Sequence, residues 1–295
     1  MKNMRLFLAV VLMAAMYSVS WAQGIIVHKT DGTEVRFKAN EVDKITTYAE
    51  EEPVVTKDIV MKVGNASFKM IYVEGGTFSM GATSEQESDA NYDEKPAHSV
   101  FLDSYYIGET EVTQELWNEV MNAEYNPSWF VQTSNKPVQN VSKEDCENFI
   151  NSLNKRTSHT FSLPTEAQWE YAARGGSKTK HYKFSGSNSI DEVGWYSDNA
   201  EKEVHEVALK LPNELGIYDM TGNVWEWCSD FYDEFYYTNS DFNNPTGPTT
   251  GNYYVFRGGS YDMSERNSRI TTRNFRVPTY HYGHLGLRLV MKVEE

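Results

Sequence analysis

Cysteine is nearly absent, with only Cys146 and Cys228 in 295 residues. Two thiols exclude the dense disulfide framework of a small stapled scaffold. Free cysteine packs well as a small buried hydrophobe, so the two read as core residues rather than as a disulfide pair. Basic charge is also short, because 27 Lys and Arg face 42 Asp and Glu for a net charge of −15. Nucleic-acid binding needs a basic patch to displace counterions, so no nucleic-acid partner is expected, and the acidic balance reads as solubility. A Gly-rich phosphate loop, a Gly-x-Ser-x-Gly elbow and a His-Glu-x-x-His zinc motif are all missing. Long apolar runs are confined to the start of the chain, and no later segment approaches the roughly 20 apolar residues of a transmembrane helix.

That first run has a recognisable form. Lys2 and Arg5 precede an apolar stretch over 6–19, and Ser20-Trp21-Ala22 supplies a small-x-small cleavage pattern. The pattern predicts a secretory signal peptide over 1–22, and Gln23 after it offers no thiol for a lipid anchor. An exported protein, periplasmic or extracellular, with no transmembrane segment after cleavage is the expectation. Residues 23–48 follow as a small β-hairpin module, since two β-rich runs flank Thr30-Asp31-Gly32 and a further strand-like stretch covers 42–48. Glu-rich residues around Pro53 make 49–58 an extended linker. The remainder, 59–295, is long enough for one large domain.

Three helix starts are marked within it. Thr113 precedes an apolar face of Leu116, Trp117, Val120 and Met121. Ser142 and Asp145 form a capping box ahead of Cys146, Phe149, Ile150 and Leu153. Thr165 and Gln168 form another, with Gly175 as the left-handed stop. Beyond Gly176 helical periodicity fades, while aromatic content stays high, with 19 Tyr, 14 Phe and 7 Trp in the chain. So long an irregular stretch needs something to hold it, and a bound cation is one candidate organiser. The acidic stretch 83–94 reads as a solvated surface loop.

Seven phrases appear in a fixed order: FKMIYVEGGTFSMG (68–81), EKPAHSVFLDSYYIGETEVTQELWNEVM (94–121), KPVQNVS (136–142), LPTEAQWEYAARGG (163–176), PNELGIYDMTGNVWEWC (212–228), FRGGSY (256–261) and GLRLV (286–290). Together they resemble the formylglycine-generating-enzyme, or sulfatase-modifying-factor, family over most of the chain. The resemblance implies an α+β class, with a C-type-lectin-like formylglycine-generating-enzyme fold of low regular secondary structure beside the small N-terminal β-hairpin module. It also implies structural Ca²⁺. Active relatives oxidise the cysteine of a Cys-x-Pro-x-Arg segment to formylglycine with O₂ and a copper(I) ion held by two thiolates, the soft ligands that copper(I) favours.

Counting from Gly258-Gly259-Ser260, the two cysteine positions fall on Met263 and Ser268, a neutral thioether and a hard hydroxyl. Copper is therefore not expected. Trp225, Ser260 and Arg276 match residues lining the family's groove, and His284 stands where Asn is usual. A structural hydrogen bond is the plain alternative for Ser260 and Arg276. The family's ion site maps onto Asp219, Gly222, Val224 and Glu226, a mix of carboxylate and backbone oxygens suited to Ca²⁺. A second ion site near Trp195 is weakened by Val193. His281 and His284 lie in a loop context that disfavours a metal pair. The leading functional expectation is a binding protein for a protein, peptide or glycan ligand. Two alternatives stand beside it: an oxidoreductase, either of the formylglycine-generating type acting on a protein cysteine or a relative using another metal through His284 and Met263, and an envelope assembly component.

Overall fold

The computed structural model describes residues 25–28, 34–37, 57–86, 88–122, 126–130 and 135–293. The residues expected to form the signal peptide (1–22), the Asp31-Gly32 turn, the strand-like stretch 42–48 and most of the linker lie outside the described residues. The chain divides into two compact units, Met1–Val55 and Thr56–Glu295. In the first, β1 (Ile25–His28) pairs antiparallel with β2 (Glu34–Phe37), Ile25 opposite Phe37.

The second unit opens with β3 (Ile59–Val63), β4 (Ala66–Val73), β5 (Gly76–Met80), β6 (His98–Leu102) and β7 (Tyr105–Gly108). Three helices are interleaved with one short strand: α1 (Gln114–Met121), α2 (Lys143–Arg156), β8 (Phe161–Ser162) and α3 (Glu166–Ala173). A single-turn α4 (Ile190–Val193) then precedes β9 (Trp225–Phe231), β10 (Tyr254–Arg257), β11 (Asn274–Arg276), β12 (Leu285–Gly286) and β13 (Val290–Lys292). One sheet runs β3-β4-β7-β13-β8, a second β11-β10-β9-β12, and β5 and β6 form a separate ribbon. The strand β13 sits between β7 and β8, so the segment 290–292 is tied into the sheet begun by β3 and β4.

All three helix starts behave as their residues require. Thr113, Ser142 and Thr165 accept from the backbone N–H groups of Leu116, Asp145 and Gln168, and the last two complete reciprocal capping boxes. The apolar stripes of α1 and α2 meet through Trp117 and Phe149, whose rings stack 5.0 Å apart and 4° from parallel. With Trp225, Trp227 and the β12 to β13 leucines they form one apolar cluster that includes Cys146. A second cluster surrounds α3 and includes Cys228. The two thiols are thus free, buried in different clusters and raised in pKa by burial.

The long irregular half is pinned by buried guanidinium–carboxylate pairs. Glu166 accepts from Arg257 at 2.5 Å and from Arg273 at 2.7 and 2.9 Å. Glu170 takes the other face of Arg257 at 2.7 Å and also Arg174 at 2.9 Å. Arg288 grips Glu226 at 2.7 to 3.0 Å, and Trp169 donates to the same carboxylate at 2.7 Å. Removing one partner of such a pair leaves an uncompensated buried charge, at about 3–5 kcal/mol. Asp230 sits within this network without an arginine of its own. Burial and the neighbouring Glu166 push its pKa up to about 7.

The same network corrects the reading of 83–94 as a solvated loop. Glu94 is fully buried and accepts from Arg269 at 2.6 and 2.8 Å, Gln86 is fully buried, and Glu85 pairs with Arg174 at 2.9 Å. Asp93 accepts from the Tyr232 hydroxyl at 2.9 Å. Acidic residues here are counter-charges for arginines far along the chain, a relation no local charge pattern reveals.

Candidate functional site

The turn Gly258-Gly259-Ser260 leaves the end of β10 with both glycines in the left-handed region, at φ 105° and 81°. A Cβ on Gly259 would lie 2.3 Å from Ser268 Oγ, so the close approach of the two segments requires glycine there. Ser268 is accordingly fully buried against this turn. Met263 is partly buried against the first apolar cluster, its N–H donating to the Ser260 carbonyl at 3.0 Å. Neither residue offers a thiolate, and Cys146 and Cys228 lie in the cores on either side. The donor set does not fit copper(I).

What the turn assembles instead is a carboxylate–imidazole pair. Ser260 Oγ donates to Asp262 Oδ1 at 2.8 Å, and His284 Nδ1 lies 3.1 Å from both Asp262 oxygens. Burial alone would raise the Asp262 pKa, but the bonds from His284 and Ser260 hold it below the usual carboxylate value. An ionised carboxylate can only accept, so the Nδ1 contact is an N–H donated to Asp262. Tyr282 covers the imidazole at 4.2 Å.

Trp225 and Ser260 lie beneath this pair rather than at the surface, at 1% and 0% exposure. Trp225 packs edge-on against Phe256 at 5.2 Å, and its backbone N–H donates to the His284 carbonyl at 2.8 Å. It therefore sets the height of His284 through the parallel pairing of β9 with β12. Arg276 is placed apart. It is exposed, donates to the Phe275 carbonyl at 2.8 Å, and lies over the Tyr280 ring at 5.3 Å. His281 points elsewhere, its Nε2 2.7 Å from Asp145 at the start of α2, so the two histidines do not converge.

The segment 219–226 runs beside this turn. Gly222 N–H donates to the Gly258 carbonyl at 2.7 Å, and Tyr261 N–H to the Asn223 carbonyl at 2.8 Å. Asp219 and Asn223 hold left-handed φ values of 58° and 56°, with Gly222 between them at 79°. Asp219 is buried; its Oδ2 accepts from Ala208 N–H at 2.7 Å, while Oδ1 has no hydrogen-bond partner. Sequence pattern pairs Asp219 with Glu226, yet both Glu226 oxygens are engaged by Arg288 and Trp169. The nearby carboxylate with an open oxygen is Glu111, which is 1% exposed, with Oε1 unpartnered and Oε2 accepting from Asn223 at 3.4 Å. Burial and the Asp219 charge raise the Glu111 pKa well above normal, and burial pushes Asp219 up to about 6.

Three buried carboxylates against one guanidinium leave excess negative charge, which is costly unless protons or a cation offset it. Among the described residues no group of three or more His, Cys, Asp or Glu could hold a metal ion. A cation here would need backbone carbonyls as well, as hard Ca²⁺ accepts. Glu111 also lines a pocket of about 370 Å³ with Thr110, Val112 and Ala208, an opening next to the carboxylates. At the second expected ion site Val193 is buried and apolar, and Trp195 stacks on His205 at 3.8 Å.

Known proteins match the sequence of nearly the whole second unit. The sulfatase-modifying factor enzyme 1-like domain matches residues 57–293. The chain belongs to that family. It is similar to the chaperone protein LppX of Paenibacillus barcinonensis, 32% identical and covering 68% of this chain and 81% of that one. It is also similar to the formylglycine-generating enzyme of Streptomyces coelicolor, 28% identical and covering 74% and 87% of the two chains. Among solved structures, Treponema denticola variable protein 1 superposes with a TM-score of 0.72 at 30% identity, covering 82% of this chain and all of that one. PvdO from Pseudomonas aeruginosa shares the fold, with a TM-score of 0.70 at 23% identity, covering 80% and 98%.

Two site residues escape sequence reasoning. Asp262 stands two places after Ser260 and was legible as an ionisable residue in the family's turn, but its partner His284 is 22 positions away. Glu111 carries no local signal, because only folding brings it to Asp219.

Proposed function

We propose that this protein is an exported, calcium-stabilised binding member of the sulfatase-modifying factor family that does not perform the copper-dependent oxidation. The observation that carries this reading is the turn 258–268, where Met263 and Ser268 occupy the thiolate positions and an Asp262–His284 pair stands beside them. Its ligand is a protein, peptide or glycan, or a neighbouring component of an envelope assembly. The word chaperone in the name of a relative at 32% identity supports binding over oxidation.

Calcium fits the residues present at the second feature of the site. Asp219 Oδ1 and Glu111 Oε1 are open, buried carboxylate oxygens, and the backbone carbonyls of Gly222 and Val224, from the same segment as Asp219, would complete the oxygen set. Glu226 contributes charge while Arg288 holds its oxygens. A bound Ca²⁺ would supply the positive charge that keeps these carboxylates ionised, and the protein's part is to supply the oxygen ligands.

The test is chemical. The purified protein, loaded with copper(I) and aerated with a Cys-x-Pro-x-Arg peptide, is expected to produce no aldehyde, read by mass loss or hydrazide capture. Conversion at a rate comparable to an active relative overturns the reading. Elemental analysis is expected to return calcium; a stoichiometric redox metal would favour the oxidoreductase alternative instead.

A further inference from the structure

An aromatic row lies above the Asp262–His284 pair. Trp129 is 57% exposed and Tyr282 39% exposed, with ring centroids 5.4 Å apart and tilted by 57°. Tyr280 continues the row 6.1 Å from Tyr282 and within 4° of parallel, and Arg276 caps its end at 5.3 Å. The Trp129 ring is seated on backbone, since a Cβ at Gly283 would lie 2.1 Å from its Cε3 atom. A tryptophan held in place yet more than half exposed presents a fixed open face. Next to Tyr282, the buried His284 holds the partly exposed Asp262 carboxylate, whose oxygens accept hydrogen bonds.

Building on the binding reading above, we infer that this row is a subsite for a neutral saccharide. The apolar C–H face of a sugar ring has the size and slightly positive edge charge that an aromatic face, with its negative quadrupole, attracts. The sugar's hydroxyls both donate and accept, matching an Asp262 acceptor near the Tyr282 end of the row and an Arg276 donor beyond Tyr280. One carboxylate and one guanidinium sum to no net charge at the strip, which suits a neutral ligand. The chain's net charge of −15 disfavours sulfated or sialylated glycans.

A peptide laid in as an added strand is less well served. The row is a turn whose backbone groups bond inward: Tyr280 N–H to the Val277 carbonyl and Leu285 N–H to the Tyr282 carbonyl, both at 3.0 Å. The Pro278 carbonyl accepts from the Lys143 backbone N–H at 3.0 Å. Strand addition requires a continuous free edge, and these inward bonds interrupt it. A base stacked on the same rings would bring phosphate charge that the acidic surface repels.

Immobilised neutral oligosaccharides of glucose, galactose, mannose and N-acetylglucosamine, beside sulfated and sialylated glycans and tyrosine- and proline-rich peptides, test this with the purified full chain. Retention on a neutral oligosaccharide is expected. Trp129→Ala should weaken it about tenfold, the scale of an aromatic anchor at an interface. Gly283→Val, which keeps the tryptophan but displaces its ring, should weaken it similarly, while Phe242→Ala, an exposed ring outside the row, should not. Circular dichroism melts keep folding failures separate. Binding only to anionic glycans, only to peptides or to nothing overturns the saccharide assignment, as does undiminished binding by Trp129→Ala. The aldehyde assay is independent, so a null array with no aldehyde formed removes the sugar and leaves the non-oxidase reading standing.

Discussion

Asp219→Asn separates a cation site from a fortuitous cluster of acids. Asparagine keeps an oxygen to accept from Ala208 N–H and removes the charge that burial penalises. Burial lifts the Asp219 pKa from 3.8 to about 6, and each unit corresponds to about 1.36 kcal/mol. Without a cation, the folded chain binds this proton more tightly than the unfolded chain. The contribution to stability therefore falls as pH rises from about 4 to about 6 and stays low above that. The full cost near pH 7.5 is about 3 kcal/mol, reduced by whatever relaxation the site allows. In chelator at pH 7.5, the variant should exceed wild type by about 1–3 kcal/mol, a rise of roughly 2–10 °C in Tm for a domain of this size. Calcium narrows or reverses the gap. A wild-type site filled at about 100 times its Kd gains about 2.7 kcal/mol, and the variant gains little. Differential scanning calorimetry with and without calcium reads both arms. An Asn variant less stable than wild type in chelator, or equal calcium gains for the two proteins, would refute the cation site.

Further outcomes follow from the buried network. Arg273→Met should cost about 3–5 kcal/mol, because Glu166 keeps only Arg257 against its charge, read as a lower urea midpoint. Asp230→Asn should stabilise the protein above pH 7 and much less at pH 4, since the aspartate is protonated in the fold below about 7. Chemical denaturation at the two pH values checks the sign. Ser142→Ala should cost about 1 kcal/mol through loss of the α2 cap. Both thiols should resist a disulfide-exchange reagent in the native state and react only after unfolding, as burial raises each pKa.

Local order was readable along the chain because its causes are local. Thr113, Ser142 and Thr165 each satisfy an N–H three residues on, and helical spacing alone marks Leu116, Phe149 and Leu153 as core. The family turn also placed Met263 and Ser268 where thiolates would stand, and their chemistry follows from residue type. The arginine clamps were different in kind. Glu94 meets Arg269 across 175 positions, and Arg288 meets Glu226 across 62. Nothing near either residue distinguishes a buried counter-charge from a solvated acid, so 83–94 read as surface.

The candidate site divides along the same line. Residue identity by itself determined that Met263 and Ser268 offer no thiolate and that the chain is acidic, while the family resemblance led to the expectation of an ion site at Asp219. Tertiary structure alone decided that Glu226 belongs to Arg288, that Glu111 carries an open carboxylate oxygen, and that Asp262 pairs with His284. Those outcomes depend on which charges share a desolvated volume. A linear pattern does not carry that information, because electrostatic energy depends on distance and burial rather than on order along the chain.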